Sequence, residues 1–217
     1  MTANETTNGA AAAAPTNPKQ NTATTTTISE RPSLTLHRPS SSDPNQPAPP
    51  HPGFFGGTWH ITHSTMPIWR DKRNVTITYT LLPDTPSPRL DDVVAYQPCA
   101  SDTTWTVRGT QTPTAGGGGA IWDWRGKGLI WLASTRWELL GRGGGEGEEE
   151  EQAWMVTFST KTVFTPAGVN VYGRGAGAVG AALLDAIRDA LVATRDPELA
   201  RLAAELYELA RGPAPCG

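Results

Sequence analysis

Three glycines are the first candidates in this chain for binding a cofactor. Gly175-x-Gly177-x-x-Gly180 follows the apolar stretch "GVNVYG" and precedes an amphipathic stretch, which is the order of a dinucleotide-binding βα unit. Such a unit needs a second parallel strand about 20 residues further on, ending in an acidic residue. No strand pattern follows Gly180, so we interpret these glycines as a hinge and expect no cofactor.

Two pairs of charged residues could transfer protons. Asp123 and Arg125 alternate with tryptophans in "WDWR", and Arg136 and Glu138 flank a tryptophan in "STRWE". If the charged face of these strands lines an interior, each pair is a candidate acid–base pair. The alternative is that they form cross-strand ion pairs on a solvated outer wall.

A histidine provides a third candidate. His63 lies in "HITHSTMPIWRDKRN", where we predict a short helix capped by Thr65 and anchored by Trp69. A histidine beside a cavity could move protons near neutral pH. The chain has four histidines, and His37 and His51 lie in a low-complexity region, so the sequence predicts no metal site.

The elements that must position these residues are short strands. Period-2 patterning of apolar and polar residues recurs in eight segments between residues 57 and 173, joined by turns rich in Gly, Pro, Asp and Asn. No connection is long enough for a crossover helix, which predicts an antiparallel meander. Because a meander of eight strands buries its edges by closing, the sequence predicts an all-β, antiparallel barrel with a C-terminal helical pair.

The aromatic residues are expected on the inner face of this barrel. Burying indole rings is favourable, whereas burying unpaired charges is costly. We therefore predict that one set of residues lines the lumen: Tyr79, Trp105, Trp122, Trp124, Trp131, Trp137 and Trp154. They could form either a solid aromatic core or a pocket for a flat, hydrophobic molecule.

The chain divides into three parts by composition. Residues 1–53 are rich in Thr, Ala, Pro and Ser without any aromatic residue, which predicts a disordered arm. Residues 54–174 form the barrel, and 175–217 a helical extension. In the extension, Asp196 is expected to cap a helix with a leucine repeat at 199, 202, 206 and 209, which packs on the barrel or forms a homodimer seam.

Overall composition limits the partners. The 217 residues carry a formal charge of −3, with no basic patch for nucleic acid. No apolar run is long enough to span a membrane, and the N-terminus lacks the features of a secretory signal, so we expect a cytoplasmic protein without a membrane partner. We expect Cys99 and Cys216 as free thiols, with a bridge between them as the alternative.

Gly57-Thr58-Trp59 at the start of the first strand resembles the Gly-x-Trp of lipocalins and related calycin barrels. The block 54–174, including "THSTMPIWRDKRNVTITYT" and "KTVFTPAGVNVY", resembles small intracellular lipocalin-like proteins of filamentous fungi. This resemblance implies that Trp59 plugs one barrel end, with Arg174 as its partner. It also implies a lumen for a hydrophobic small molecule, bound by a cofactor-free cyclase or isomerase of secondary metabolism. A non-catalytic carrier and an interaction module with a filled core are the alternatives.

Overall fold

The computed structural model describes residues 33–39, 49–82, 88–114, 119–144, 151–175 and 177–213. Eight strands, each antiparallel to its neighbours in sequence, form the wall of a barrel. They are β1 (Gly57–Ser64), β2 (Lys72–Leu82), β3 (Arg89–Pro98), β4 (Trp105–Pro113), β5 (Ile121–Gly126), β6 (Ser134–Gly143), β7 (Trp154–Ser159) and β8 (Gly168–Gly173). Because β1 pairs with both β2 and β8, the sheet closes. The predicted antiparallel barrel is confirmed.

The meander determines which connections share an end of the barrel. The β1–β2, β3–β4, β5–β6 and β7–β8 connections lie together at one end, which we call the mouth, because consecutive strands run in opposite directions. The other three connections, β2–β3, β4–β5 and β6–β7, join the strands at the opposite end, which we call the closed end. A one-turn 3-10 helix, Pro67–Trp69, lies in the β1–β2 connection. Thr65 does not cap it as predicted, because its Oγ1 accepts the Val169 N–H instead, at 2.9 Å.

The closed end is plugged by Trp59. This indole is fully buried, its Nε1 donates to the Phe55 carbonyl at 2.9 Å, and the guanidinium of Arg174 lies 4.0 Å from the ring centroid. Arg174 also donates to the carbonyls of Phe54 and Thr58. The contact between Trp59 and Arg174 that the resemblance implied is thus present.

Two helices, α1 (Ala181–Ala193) and α2 (Pro197–Glu205), pack on the outer wall. Ile187 and Leu191 of α1 are fully buried in a second apolar cluster with Val156 of β7 and Val171 of β8. Asp196 caps α2 as predicted, since its Oδ1 accepts the N–H groups of residues 198 and 199. These contacts hold the helical pair against the outside of the barrel wall.

The leucine repeat was predicted to continue in one helix, and this is wrong. The helix ends at Glu205, and β9 (Tyr207–Glu208) then pairs with the end of β1. Leu209 lies in the cluster inside the barrel, and all four leucines are buried within their own chain. The proposed homodimer seam is therefore not available on the surface of this protomer.

The predicted arm, 1–53, lies mostly outside the described residues. Its described part includes Leu36, which is buried in the second cluster, and His37, whose N–H donates to the Leu140 carbonyl at 2.8 Å. The prediction of a free thiol at Cys99 is wrong, because Cys99 is disulfide-bonded. Cys216 lies outside the described residues, as do residues 115–118 between β4 and β5 and residues 145–150 between β6 and β7.

Candidate functional site in the barrel lumen

The half of the lumen next to the closed end is filled by aromatic rings. Trp122 and Trp137 stack with 6.0 Å between centroids and an interplanar angle of 10°. Phe55 contacts both indoles edge to face, at 5.3 and 5.8 Å. This packing forms a rigid apolar floor at the closed end of the lumen.

Above the floor lies a buried carboxylate, Asp92 of β3, which is 1% exposed. It shares the inward face of its strand with Leu90 and Val94, both of which belong to the apolar cluster inside the barrel. The indole Nε1 of Trp124 donates to its two carboxylate oxygens, at 3.0 and 3.2 Å. An acidic group thus lies among apolar side chains with an indole as its main partner.

The carboxylate belongs to a chain of polar contacts. Gln111 of β4 hydrogen-bonds to Asp92, and its Oε1 accepts the indole N–H of Trp137 at 2.8 Å. The chain therefore runs from Asp92 through Gln111 to the aromatic floor. Gln111 is itself 3% exposed, so these groups are held in place by contacts within the protein.

Burial raises the pKa of Asp92 from 3.8 to about 6. The hydrogen bond from Trp124 opposes this shift, and the negative charge of Asp91 adds to it. A carboxyl group with a pKa near 6 changes protonation close to neutral pH and can both accept and return a proton.

Two buried phenols face the same interior. Tyr79 and Tyr172 belong to the lumen cluster, and burial raises the pKa of Tyr79 well above 10 and that of Tyr172 to about 12. The negative charge of Asp92 raises the pKa of both. Both hydroxyls are therefore neutral at physiological pH and can act as hydrogen-bond donors.

The mouth half of the lumen is lined by side chains that are only partly buried. Tyr96, Val107 and Trp124 pack against the inner cluster and retain solvent exposure. Trp69 of the 3-10 helix also packs against the inner cluster, and its buried indole Nε1 donates to no group among the described residues. A buried N–H without an acceptor costs free energy, which an acceptor on a bound molecule would recover.

The tryptophans predicted to line the lumen fall into two groups. Trp122, Trp124 and Trp137 do face it, as does Tyr79. Trp105 is 57% exposed at the mouth, and Trp154 packs in the outer cluster under the helices. Trp131 is 60% exposed, because β6 begins only at Ser134 and the preceding residues form a 3-10 turn.

The structure places none of the four predicted catalytic side chains in the lumen. His63 and Glu138 lie directly opposite Val171 and Phe158, which belong to the outer cluster, so both face outward. Burial also lowers the pKa of the His63 imidazole below its usual value of 6.5. These two residues therefore lie beneath elements that cover the wall rather than beside a ligand site.

The other two predicted catalytic residues lie on the solvated wall. Asp123 forms a bidentate ion pair with Arg136 of β6: the arginine Nε and Nη2 donate to the two carboxylate oxygens at 2.8 and 3.0 Å. Both side chains are about half exposed. Arg125 is exposed and donates to the Trp131 carbonyl. The outer-wall ion pair, which the sequence left as an alternative, is the one observed, although Asp123 pairs with Arg136 and not with Arg125.

The sequence reasoning missed Asp92, although two signals were present. Residues 90, 92, 94 and 96 alternate with the outward residues of β3, so Asp92 falls on an apolar face. A glycine in the middle of β4, Gly109, lies directly opposite Asp92. A Cβ at Gly109 would collide with the Trp124 indole and the Asp92 carboxylate, so glycine is required for their close approach.

The described residues contain no cluster of three or more His, Cys, Asp or Glu side chains that could hold a metal ion. Among the helices in the described ranges, none is long and apolar enough to cross a membrane.

No protein-family model matches the sequence, and no curated protein is significantly similar to it. Solved structures do match. Apocrustacyanin C1 is 13% identical, with a TM-score of 0.51 and coverage of 82% of this chain and 91% of that one. Apocrustacyanin C2 is 10% identical, with a TM-score of 0.51 and coverage of 74% and 79%. Insecticyanin from the tobacco hornworm Manduca sexta is 8% identical, with a TM-score of 0.54 and coverage of 85% and 88%. The fold is that of a lipocalin-like barrel.

Proposed function

We propose that this barrel binds a flat, hydrophobic small molecule in the mouth half of its lumen and acts on it as a cofactor-free isomerase or cyclase. The observation that carries the proposal is Asp92, a carboxyl group with a pKa of about 6 inside an interior lined mainly by aromatic and aliphatic side chains. A buried ionisable group costs stability in a structural core, whereas a proton-transfer site uses one whose pKa lies near the working pH.

The chemistry follows from the surroundings of the carboxylate. A ring stacked above the Trp122–Trp137 floor lies within the aromatic interior, and an oxygen of the ligand accepts the free Trp69 N–H. Asp92 takes a proton from a carbon next to a ligand carbonyl and returns it at another position, which moves a double bond without oxidant or metal. The apolar walls exclude water and hold one reactive conformer.

Binding can be tested with aminoanthracene, a neutral, flat fluorophore. We expect saturable binding with quenching of tryptophan emission, and a loss of affinity of at least about tenfold in Trp124→Ala, because its ring faces the mouth half. Val192→Ala, on the outer helix, is the matched control and should bind normally. If the wild-type protein does not bind aminoanthracene, the lumen is a filled core and the interaction-module alternative is favoured.

Catalysis can be tested separately with nitrobenzisoxazole, whose ring C–H proton is removed by a base as the N–O bond breaks to give a nitrophenolate. The rate should rise with pH through about 6, the pKa of Asp92, and Asp92→Asn should abolish it. Asp123→Asn, which alters an outer-wall carboxylate, should leave it unchanged. A protein that binds aminoanthracene but gives no rate above buffer would be a carrier.

The cytoplasmic location predicted from the sequence remains a proposal, and one feature opposes it. The disulfide at Cys99 is typical of oxidising compartments. Labelling of free thiols in protein taken directly from its cells distinguishes the two, since a reducing compartment predicts an alkylated Cys99.

A further inference from the structure

Exposed apolar side chains are concentrated at the mouth. Among the described residues, ten large hydrophobic side chains are exposed. Seven of them lie in connections at this end, and an eighth, Trp105, is the first residue of β4 at the same end. The remaining two are Leu81, at the closed end of β2, and Val192, on α1. Patches of this kind on a soluble surface mark a binding surface.

The most exposed of these side chains lie at the tips of two connections. Leu129, Trp131 and Leu132 lie between β5 and β6, and Val163 and Phe164 lie between β7 and β8, with exposures from 60% to 104%. We call these five residues the apolar tips. They point away from the barrel, so they contribute little to its own core.

Hydrogen bonds hold both tips in fixed turns. The Trp131 N–H donates to the Gly128 carbonyl at 3.3 Å, and the Thr162 N–H donates to the Thr165 carbonyl at 2.9 Å. The Thr162 hydroxyl also accepts the N–H groups of residues 164 and 165. The apolar side chains are thus presented on ordered turns, which lowers the entropy lost on insertion into another phase.

Positive charge surrounds the tips. The four mouth segments, 64–73, 96–105, 125–134 and 159–168, contain six basic and two acidic residues, whereas the whole chain carries −3. Arg73 pairs with Asp102, Lys72 with Asp71, and Lys127 with Asp91 of β3, which lies outside these segments. Lys161 is exposed without an ion pair among the described residues, and Arg125 donates only to the Trp131 carbonyl within its own tip.

We propose that the mouth docks on an anionic lipid surface, with the apolar tips inserted and the basic residues against the headgroups. Separate protruding tips suit a bilayer, which adapts to them, whereas a protein partner would need a matching shape. Tryptophan and phenylalanine beside lysine and arginine are the composition of interfacial membrane contacts. The sequence-based expectation of no membrane partner rested on spanning length, which does not bear on peripheral binding.

Together with the proposed function, this docking would bring the lumen to face the lipid, so that a hydrophobic molecule could enter without crossing water. The docking itself does not depend on lumen chemistry. Asp92→Asn should therefore bind vesicles like the wild type, and a variant with altered tips should still bind aminoanthracene in solution.

Vesicle co-sedimentation of the full chain tests the proposal. We expect binding to vesicles of phosphatidylcholine mixed with phosphatidylserine, weaker binding to phosphatidylcholine alone, and weakening by added salt. The triple variant Leu129→Ser, Trp131→Ser, Phe164→Ser should lose at least about tenfold in partitioning. The variant Arg125→Gln, Lys161→Gln should lose the preference for phosphatidylserine.

The matched control is Leu81→Ser, Val192→Ser, which removes exposed apolar side chains away from the mouth and should bind like the wild type. The proposal is overturned if the wild-type protein binds neither kind of vesicle. It is also overturned if the control variant loses as much vesicle binding as the triple variant. If the tips instead govern a concentration-dependent dimer seen by gel filtration, while vesicles remain unbound, the mouth is an interface between copies and the lipid proposal is wrong.

Discussion

Replacing Asp92 with asparagine should change the pH dependence of stability with a sign opposite to that of most carboxylates. Burial raises the pKa of Asp92 from 3.8 to about 6, so between these values the folded state holds a proton that the unfolded chain has lost. Stability therefore falls as pH rises from about 4 to about 6, and stays lower above that. A shift of about two units at ~1.4 kcal/mol each gives about 3 kcal/mol.

Asparagine keeps the shape and an oxygen acceptor for Trp124 but carries no charge. The variant should match the wild type near pH 4 and be more stable by up to about 3 kcal/mol near pH 8. Urea unfolding of both proteins across this range measures the difference. Asp123→Asn is the control with the opposite sign, since Arg136 lowers the pKa of Asp123, and its small destabilisation should vanish on acidification.

A stability difference between the wild type and Asp92→Asn that stays constant between about pH 4 and about pH 8 would refute this reasoning. So would a carboxyl carbon resonance of Asp92 that titrates near 4. Either result would mean that the carboxylate is solvated, and the proposed proton-transfer role would lose its basis.

Three further predictions concern stability, each measured by urea unfolding. Trp122→Ala should cost about 3–5 kcal/mol because its ring is fully buried, whereas Trp131→Ala should change stability by less than about 0.5 kcal/mol; equal effects would contradict the lumen assignment. Gly109→Ala should lower the free energy of unfolding by about 1–3 kcal/mol, because the new methyl group displaces the Trp124 indole. An unchanged free energy of unfolding would show that the neighbouring strands move to accommodate the methyl group. Arg174→Met should cost about 1–2 kcal/mol by removing the guanidinium over Trp59 and its carbonyl contacts, and an unchanged midpoint would refute the plug.

Much of the architecture could be predicted because it depends on local patterns. Alternation of apolar and polar residues identified the eight barrel strands, and short connections imposed an antiparallel meander. Asp196 and the proline after it marked the start of α2. The contact between Trp59 and Arg174 was instead implied by the resemblance of Gly57-Thr58-Trp59 to the lipocalin motif.

The end of the second helix shows where local pattern fails. The leucine spacing continues through residue 209, yet the helix ends at Glu205. Beyond His60, the hydrogen-bonded register of β1 with β2 is no longer continued, and the backbone at His63 and Ser64 pairs with β9 instead. The backbone hydrogen bonds that β9 makes with this open edge of β1 outweigh the propensity of the helix to continue.

What the sequence by itself determined is the set of strands and their order, whereas only some of the tryptophans predicted to face the interior do so. Which residues meet across that interior was decided by register and closure. Asp92, Trp124 and Gly109 lie on three neighbouring strands, and only their pairing brings a carboxylate, an indole and the glycine that makes room for them into contact. Strand alternation assigns a side chain to a face, whereas burial and the pKa of Asp92 depend on what the rest of the barrel encloses around it.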